Sequence, residues 1–305
     1  MKKIVAIDTK RNVSREQLRH KLSNVIKSRY LKNKMAIVGG LIMLAVVFSA
    51  VGAEFISPHS YTKQDLRVRL KPPIWSSGGS WNHILGTDSL GRDVLSRIIY
   101  SARVSMMVAL AGVMVSGFVG VLLGLFTGYY GKVLDNIIMR IADVQLTFPP
   151  LLLAIAVMAV LKPSIMNVVI VLTLRSWVIY ARTIRGRVLS EKENDFVLAA
   201  VSAGASDWRI MFRHILPNIM STVIVISTFE LPGLILTEAS LSFLGLGVQP
   251  PVPSWGNMLS SSRDYITSAW WLVTFPGLAI MITVLGGNLL GDGLRDILDP
   301  RLKVR

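Results

Sequence analysis

Six stretches of the chain are long and apolar enough to cross a lipid bilayer, and polar segments separate them. A transmembrane helix needs about 20 mostly apolar residues, and the stretches of that length are 35–56, 104–129, 137–161, 165–184, 218–247 and 270–291. The pattern therefore predicts an all-α membrane protein with six transmembrane helices. We interpret the first stretch as an uncleaved anchor, because 34 residues precede it and its apolar run is too long for a signal peptide.

Basic residues are concentrated near the chain's ends, which predicts its orientation. The net charge is +15, and residues 1–34 alone hold eleven Lys and Arg against two Asp and Glu. Positively charged segments stay on the cytoplasmic side of a membrane, so both termini should be cytoplasmic. Seven basic residues within 57–103 run against this rule, but the longer tail outweighs them. A membrane explains the basic charge, and no nucleic acid is expected as a partner.

The spans and charges divide the chain into five segments. They are a basic cytoplasmic tail (1–34), the first anchor (35–56), an extracytoplasmic segment (57–97), the transmembrane core (98–291) and a cytoplasmic tail (292–305). Within the first tail, Ser14 and Gln17 have the spacing of a helix capping box. Apolar residues follow on one face, so we expect a basic amphipathic helix that rests on membrane lipid; a disordered tail is the alternative.

Composition limits the chemistry that the chain can perform. Hydrophobic residues make up 52% of it and the mean hydropathy is +0.53, both typical of a membrane protein. The absence of cysteine excludes disulfides, thiol catalysis and thiolate metal sites. No Gly-Lys-Ser or Gly-Lys-Thr sequence is present to cradle a nucleotide phosphate. We therefore expect no catalytic residue, cofactor or metal, and an ATPase that drives this protein must be a separate chain.

The polar segment between the fourth and fifth spans carries the most informative motif. Small and apolar residues at 196–204 recur at helical spacing, and Ser206 and Asp207 offer a start for a second short helix. Nine residues separate Gly204 from the run His-Ile-Leu-Pro, which begins at His214. A helical knuckle fixed to two spans is a means by which a soluble motor can move a pore.

This segment resembles the EAA loop of ABC importer permeases, the cytoplasmic element that meets the ATPase. Leu198 stands where the family pattern has Glu, and His214 where it often has Ile. The resemblance implies the transmembrane fold of type I, or MetI-like, ABC importers. It also implies an ATPase-coupling site at the matching positions, which are Ala199, Ala200, Gly204, His214, Leu216 and Pro217.

A second motif, residues 83–97, precedes the second span. By itself it predicts an amphipathic elbow, in which Thr87 or Asp88 caps a helix and Asp93 pairs with Arg97. It resembles a run in the dipeptide, oligopeptide and nickel permease subfamily, as do residues 238–258. We expect its matching residues to be structural; they are His83, Gly86, Thr87, Asp88, Gly91, Arg92, Asp93, Ser96 and Arg97.

Small residues and prolines inside the spans predict packing and bending. A small residue recurs at every fourth position of the second span, at Gly112, Ser116, Gly120, Gly124 and Gly128. Such a stripe lets helix backbones approach closely in lipid. In the third span, the Phe-Pro-Pro run at 148–150 should bend the helix or delay its regular start.

Charged residues inside the spans are few, so each is a candidate for function. Arg175 and Glu230 have similar predicted depths, and we expect both in the translocation path, either paired or facing the ends of a peptide. The alternative is that Arg175 snorkels inward and Glu230 packs against a neighbouring helix or is protonated. Arg140 and Asp143 should pair with each other or lie at the interface. Glu238 should lie near the outer surface, where it is solvated or anchors a loop.

The family resemblance implies a permease subunit of an ATP-driven importer in the bacterial inner membrane. Its implied partners are a second homologous permease, two cytoplasmic ABC ATPases and an extracytoplasmic solute-binding protein that delivers peptide. A nickel or other small-solute importer stays open as an alternative. A self-sufficient channel or secondary transporter is the rival class, although no series of intramembrane carboxylates and no selectivity filter is evident in the sequence.

Overall fold

The computed structural model describes residues 33–298, and this part of the chain is helical. Its α-helices are α1 (Lys34–Val51), α2 (Ala53–Ile56), α3 (Val94–Tyr130), α4 (Lys132–Leu146), α5 (Pro150–Val160), α6 (Ile165–Glu191), α7 (Asp195–Ser202), α8 (Asp207–Arg209), α9 (Leu216–Phe243), α10 (Trp255–Ser261) and α11 (Trp271–Leu298). Within residues 33–298, β pairing is confined to two isolated bridges in the segment before and at the start of α3. The all-α prediction is confirmed.

Five helices are individually long and apolar enough to cross a membrane: α1, α3, α6, α11 and the continuous helix 207–243 that contains α9. The predicted third span is two helices, α4 and α5, which meet at an angle of 94°. Pro149 and Pro150 lie at this junction, where each lacks a backbone donor and disfavours helix in the residue before it. The predicted bend is therefore present, and the pair makes a sixth span if it crosses as one unit.

The helices extend beyond the apolar stretches that predicted them. Helix α3 begins at Val94, ten residues before the predicted span, and α6 continues to Glu191, seven residues beyond it. Helix α11 likewise runs to Leu298, through the first part of the predicted C-terminal tail. The capping prediction for the elbow is wrong: neither Thr87 nor Asp88 but Asp93 caps α3, by accepting a hydrogen bond from a backbone N–H.

The small-residue stripe of α3 lies against α6, as the sequence pattern predicts. A Cβ atom added to Gly120 would lie 2.5 Å from the carbonyl oxygen of Trp177, and one added to Gly124 would lie 2.6 Å from that of Ala181. Either distance is too short for any real side chain, so the two backbones are in direct contact. Dispersion across this contact holds α3 and α6 together in lipid.

A second close contact, which the sequence pattern did not reveal, joins the first helix to the last. A Cβ atom on Gly39 of α1 would lie 2.5 Å from the backbone nitrogen of Leu290 on α11. A Cβ atom on Gly286 of α11 would in turn lie 2.4 Å from the Ile42 side chain. The first span is therefore packed into the helix bundle. The predicted helix that follows Ser14, and residues 299–305, lie outside the described residues.

Candidate coupling loop and buried charge pair

The predicted knuckle is the short helix α7, held between the end of α6 and the base of α9. Val197 on its inner face is 2% exposed and packs in one cluster with Ile210 and Ile215. Leu198 and Val201 on its other faces are each 52% exposed. Apolar contact therefore fixes α7 to the helix that continues into α9, while further apolar side chains stay free for another surface.

The turn after α7 depends on Gly204. Its φ is +75°, a conformation that other residues adopt only with strain, and the following N–H, on Ala205, donates to the Ala200 carbonyl over 3.0 Å. No atom lies within 4 Å of a Cβ placed on Gly204. Ala199 and Gly204 are exposed, whereas Ala200 is half-buried against the cluster under α7. Gly204 therefore shapes the turn and also leaves open space beside it.

The second short helix is not separate, contrary to the prediction. It begins at Asp207, as expected, but it continues through a π-helical segment, Ile210–Ile215, directly into α9. Pro217 has no N–H to donate to the preceding turn, and a locally wider helix accommodates such a residue. His214 and Leu216 are half-buried here and Pro217 is exposed. The helix is therefore continuous from 207, beside α7, to the end of α9 at 243.

Aromatic side chains beside α7 form a feature that sequence reasoning missed. Trp208 stacks on Phe212 with ring centroids 5.0 Å apart and meets the edge of Phe126 on α3. The Tyr129 hydroxyl donates to the Asp207 carboxylate over 2.8 Å. The spacing of four between 208 and 212 was the available signal. Trp208 and Phe212 also line a shallow groove, together with Arg209, Arg213 and Pro217.

The two deep charges, Arg175 on α6 and Glu230 on α9, face each other. Arg175 Nη1 lies 3.5 Å from Glu230 Oε2, and the Ser176 hydroxyl donates to the same carboxylate oxygen. The side chains are 22% and 11% exposed, respectively. Gly233 makes room for the guanidinium, because a Cβ there would lie 3.2 Å from Arg175 Nη2. The carboxylate thus has both a cationic and a hydroxyl partner.

Gln145, at the end of α4, supports the same region and carried no signal in the sequence. Its side-chain amide donates to the Leu174 carbonyl over 2.5 Å and accepts from the Trp177 indole over 2.7 Å. These two residues flank Arg175 and Ser176 on α6. The bent α4–α5 pair is therefore joined by hydrogen bonds to the turn of α6 that carries the charge.

Glu238 is not solvated, which corrects one of the two options predicted for it. It is 0% exposed, and its carboxylate accepts from Ser105 on α3 over 3.0 Å and from Ser242 over 2.7 Å. Ser242 in turn accepts a hydrogen bond from the backbone N–H of Val248. Glu238 therefore ties α9 to α3 and to the loop after α9, which is the anchoring role that was the other option.

The elbow motif closes the segment before α3 through Asp88, not through the predicted pair of Asp93 and Arg97. Arg97 instead pairs with Asp88, as does Arg92 over 2.7 Å. Helix geometry explains the difference, since Asp93 caps the helix and its carboxylate turns toward the helix end. Gly91, at φ +72°, is needed because a Cβ there would overlap the Asp65 carbonyl oxygen.

The charged residues of α4 also pair differently from the prediction. Asp143 pairs with Arg182 on α6, not with Arg140. Arg185, one turn further along α6, pairs with Asp135. Residues three apart on one helix can pair, but here α4 lies against α6 in the opposite chain direction, and each carboxylate has a guanidinium across the interface. Arg140 is exposed beside them.

Comparisons with known proteins agree on one family. Residues 120–304 match the family described as "Binding-protein-dependent transport system inner membrane component". Residues 24–73 match the "N-terminal TM domain of oligopeptide transport permease C". The first match covers more than half of the chain, and it includes α7, the buried charge pair and most of the α3–α6 contact.

Curated relatives align along almost the whole chain. This chain is 48% identical over 274 residues to the dipeptide transport system permease protein DppC of Escherichia coli (strain K12). The alignment covers 90% of this chain and 91% of the relative. The chain is 47% identical over 274 residues to the di/tripeptide permease DppC of Pseudomonas aeruginosa, covering 90% of each. A glutathione transport system permease, GsiD of Pectobacterium atrosepticum, is 44% identical over 275 residues, with 90% of each covered. The chain therefore belongs to the inner-membrane permeases of binding-protein-dependent ABC transport systems, as the three sequence motifs predicted.

Proposed function

We propose that this chain is one of two permease subunits that form the path of an ATP-driven peptide importer. The relatives named for dipeptide, di/tripeptide and glutathione transport all handle short peptides, as their names state. The observation that carries the mechanism is the unbroken helix 207–243, which has the α7 knuckle packed at one end and Glu230 along its length. One continuous helix thus joins the proposed ATPase contact to the proposed path.

The partner ATPase would meet α7 and the aromatic groove beside it. Leu198, which replaces the family's Glu, is 52% exposed and apolar, so the contact at this point is hydrophobic and not ionic. Trp208 adds a 60% exposed aromatic surface. Exposed apolar groups of this size are typical of protein interaction sites. Closure of the ATPases on ATP would push α7, and α9 would move with it.

Arg175 and Glu230 would contact the cargo. A dipeptide carries an ammonium group and a carboxylate, and an Arg–Glu pair offers one complementary charge to each. Both side chains keep some exposure within the bundle, so neither is sealed in a dry core. Because the two charged groups are 3.5 Å apart, their attraction is weak. The pair therefore opens toward a charged ligand at less cost than a short bidentate pair would.

The orientation follows from charge and from which parts share an end of the bundle. The Trp271 indole donates to the Thr87 carbonyl, and the Trp255 indole donates to the Ile98 carbonyl. The 57–93 segment, α10 and the start of α11 therefore lie at the end opposite α7. We place α7 and both termini in the cytoplasm, because the basic tail favours that side.

The function is tested by reconstituting the chain with its partner permease, ATPases and binding protein in proteoliposomes. We expect uptake of a labelled dipeptide to require ATP and the binding protein and to persist when an ionophore removes the proton gradient. Uptake that depends on the proton gradient and not on ATP would contradict the proposal. Replacing the dipeptide with a nickel chelate distinguishes the cargo, since transport of the chelate alone would exclude a peptide importer.

A further inference from the structure

Three side chains with metal-binding atoms converge at the start of α3. His59 comes from the segment after α2, His83 from the first position of the 83–97 motif, and Asp93 from the N-cap of α3. Their three ligand atoms lie within 4.8 Å of one another. Asp93 Oδ1 is 3.0 Å from His83 Nδ1 and 3.9 Å from His59 Nδ1.

The surrounding hydrogen bonds hold these groups in place and leave one carboxylate oxygen free for them. Asp93 Oδ2 accepts from both the backbone N–H and the hydroxyl of Ser96, each over 2.8 Å. The Ser96 hydroxyl oxygen accepts in turn from the backbone N–H of His59 over 3.0 Å. Asp93 Oδ1 therefore faces the two imidazoles, whose ring centroids are 4.8 Å apart. Such fixed supporting bonds are what orient metal ligands in proteins.

Among the described residues, no arginine or lysine pairs with Asp93. Its side chain is 2% exposed, and a buried carboxylate is costly without a cation. Within residues 33–298, the ion-pair partners of Asp93 are the two histidines alone. The nearby guanidinium groups of Arg92 and Arg97 are bound to Asp88 instead. The site thus needs positive charge from a proton or from a bound cation.

The unsatisfied nitrogen of His59 favours a cation. His59 Nδ1 is buried and has no hydrogen-bond partner among the described residues, whereas a proton on His83 would satisfy only the contact with Asp93. A metal ion takes the lone pairs of both imidazoles and the carboxylate oxygen together. Tetrahedral zinc with bonds of about 2.0–2.1 Å separates its ligand atoms by about 3.3–3.4 Å. The two carboxylate–imidazole distances are 3.0 and 3.9 Å and all three atoms lie within 4.8 Å of one another, so small side-chain shifts bring them onto one ion.

We propose that His59, His83 and Asp93 bind a divalent transition-metal ion of the zinc type. Two imidazole nitrogens and one carboxylate oxygen are ligands that such an ion prefers. The fourth position is left to water, since His59 remains 33% exposed. The ion joins the segment after α2 and the turn before α3 to the N-cap of α3. This site is independent of the proposed transport function, because its test measures metal and stability only.

The experiment uses the full chain, purified in detergent through a tag without histidine and stripped with a chelator. We expect one Zn²⁺ per chain by mass spectrometry after dialysis, and Co²⁺ should give visible d–d absorption at the same stoichiometry. Zn²⁺ should also raise the thermal unfolding midpoint, because it binds the folded state. Failure of the wild-type protein to retain either ion would overturn the proposal.

Variants then locate the ion. His59→Ala and His83→Ala should each weaken Zn²⁺ binding by at least about tenfold, as even the loss of a supporting contact costs that much. His214→Ala, at a histidine on the π-helical segment, is the matched control and should bind like wild type. His59→Ala breaks no side-chain hydrogen bond at Nδ1, so it keeps the test valid if His83→Ala fails to fold. Wild-type affinity in His59→Ala would place the ion elsewhere and refute the site.

Discussion

At the scale of single residues, the two carboxylates inside α9, Glu230 and Glu238, each have partners from another helix. Glu230 is bound by Arg175 and Ser176 across the α6–α9 contact. Glu238 is bound by the Ser105 and Ser242 hydroxyls, and within residues 33–298 it has no ion-pair partner. The predicted depth of each residue along its span placed Arg175 and Glu230 at similar levels in the membrane, and the structure brings them together. The same argument left two options for Glu238, solvation or loop anchoring, because depth along a helix does not say which face of the helix is covered.

The charge pair gives the first prediction. Arg175→Glu and Glu230→Arg should each lower the thermal stability and abolish uptake, since removing one partner of a buried pair costs about 3–5 kcal/mol. The double variant restores opposite charges across the contact, so it should recover stability in part. Thermal unfolding in detergent and dipeptide uptake in proteoliposomes measure the two effects.

An exposed pair supplies the control for this cycle. Arg103 and Glu54 lie 2.8 Å apart, but their side chains are 51% and 62% exposed. Because exposed ion pairs contribute only about 0–1 kcal/mol, Glu54→Arg should leave the unfolding midpoint almost unchanged. Harmless single reversals at both Arg175 and Glu230 would show that this pair has no specific role.

At the scale of elements, backbone contact between α3 and α6 organises the bundle. The stripe of small residues could be found from the sequence because it repeats every four positions. The similar contact between α1 and α11 could not, since Gly39 lies on one helix and Gly286 and Gly293 on the other, and the sequence does not show which helices are neighbours. The elbow pairs were also mispredicted. Arg97 reaches back nine residues to Asp88, beyond the spacing that one helix allows.

The α3–α6 contact gives the second prediction. Gly124→Ala places a methyl group 2.6 Å from the Ala181 carbonyl oxygen, so the helices must separate at a cost of about 1–3 kcal/mol. Gly186→Ala, on α6 with no atom within 4 Å, should be neutral or stabilise by about 0.5–1 kcal/mol. The thermal unfolding midpoints of the two variants decide, and equal midpoints would show that α3 and α6 are not in contact at Gly124.

At the scale of the whole molecule, hydropathy and motifs predicted the family, the helical fold and the loop that contains α7. They did not reveal that α8 and α9 form one helix, because Pro217 reads as a helix start whereas a π-helical segment carries the chain past it. His59 also went unnoticed. It is 24 positions before His83 in the sequence, and only the folded segment brings the two rings together.

The third prediction concerns topology. Because the chain has no cysteine, each introduced cysteine is its only thiol. Ser77→Cys and Ser268→Cys, at exposed positions at one end of the bundle, should react with a membrane-impermeant maleimide added to intact cells. Glu193→Cys, exposed beside α7, should react only after the membrane is opened. Labelling of residue 193 from outside would invert the orientation.

Coupling through α7 is the central claim, and two matched glycines test it. Gly204 and Gly245 have φ values of +75° and +80°, and both have open space where a Cβ would stand. They flank opposite ends of the helix that contains α9. Because both have a positive φ, the backbone strain of a substitution is about 1–2 kcal/mol at each. A bulky side chain differs between them only in what it meets.

The measurement is ATP-driven dipeptide uptake by the reconstituted complex, with ATP hydrolysis and subunit assembly recorded in parallel. Gly204→Trp should reduce uptake to background, because the indole blocks the surface beside α7. The chain should still insert into the membrane, and ATP hydrolysis should no longer be linked to transport. Gly245→Trp should retain most of the wild-type uptake. Normal uptake and assembly in Gly204→Trp would show that no ATPase docks at this turn and would contradict the account.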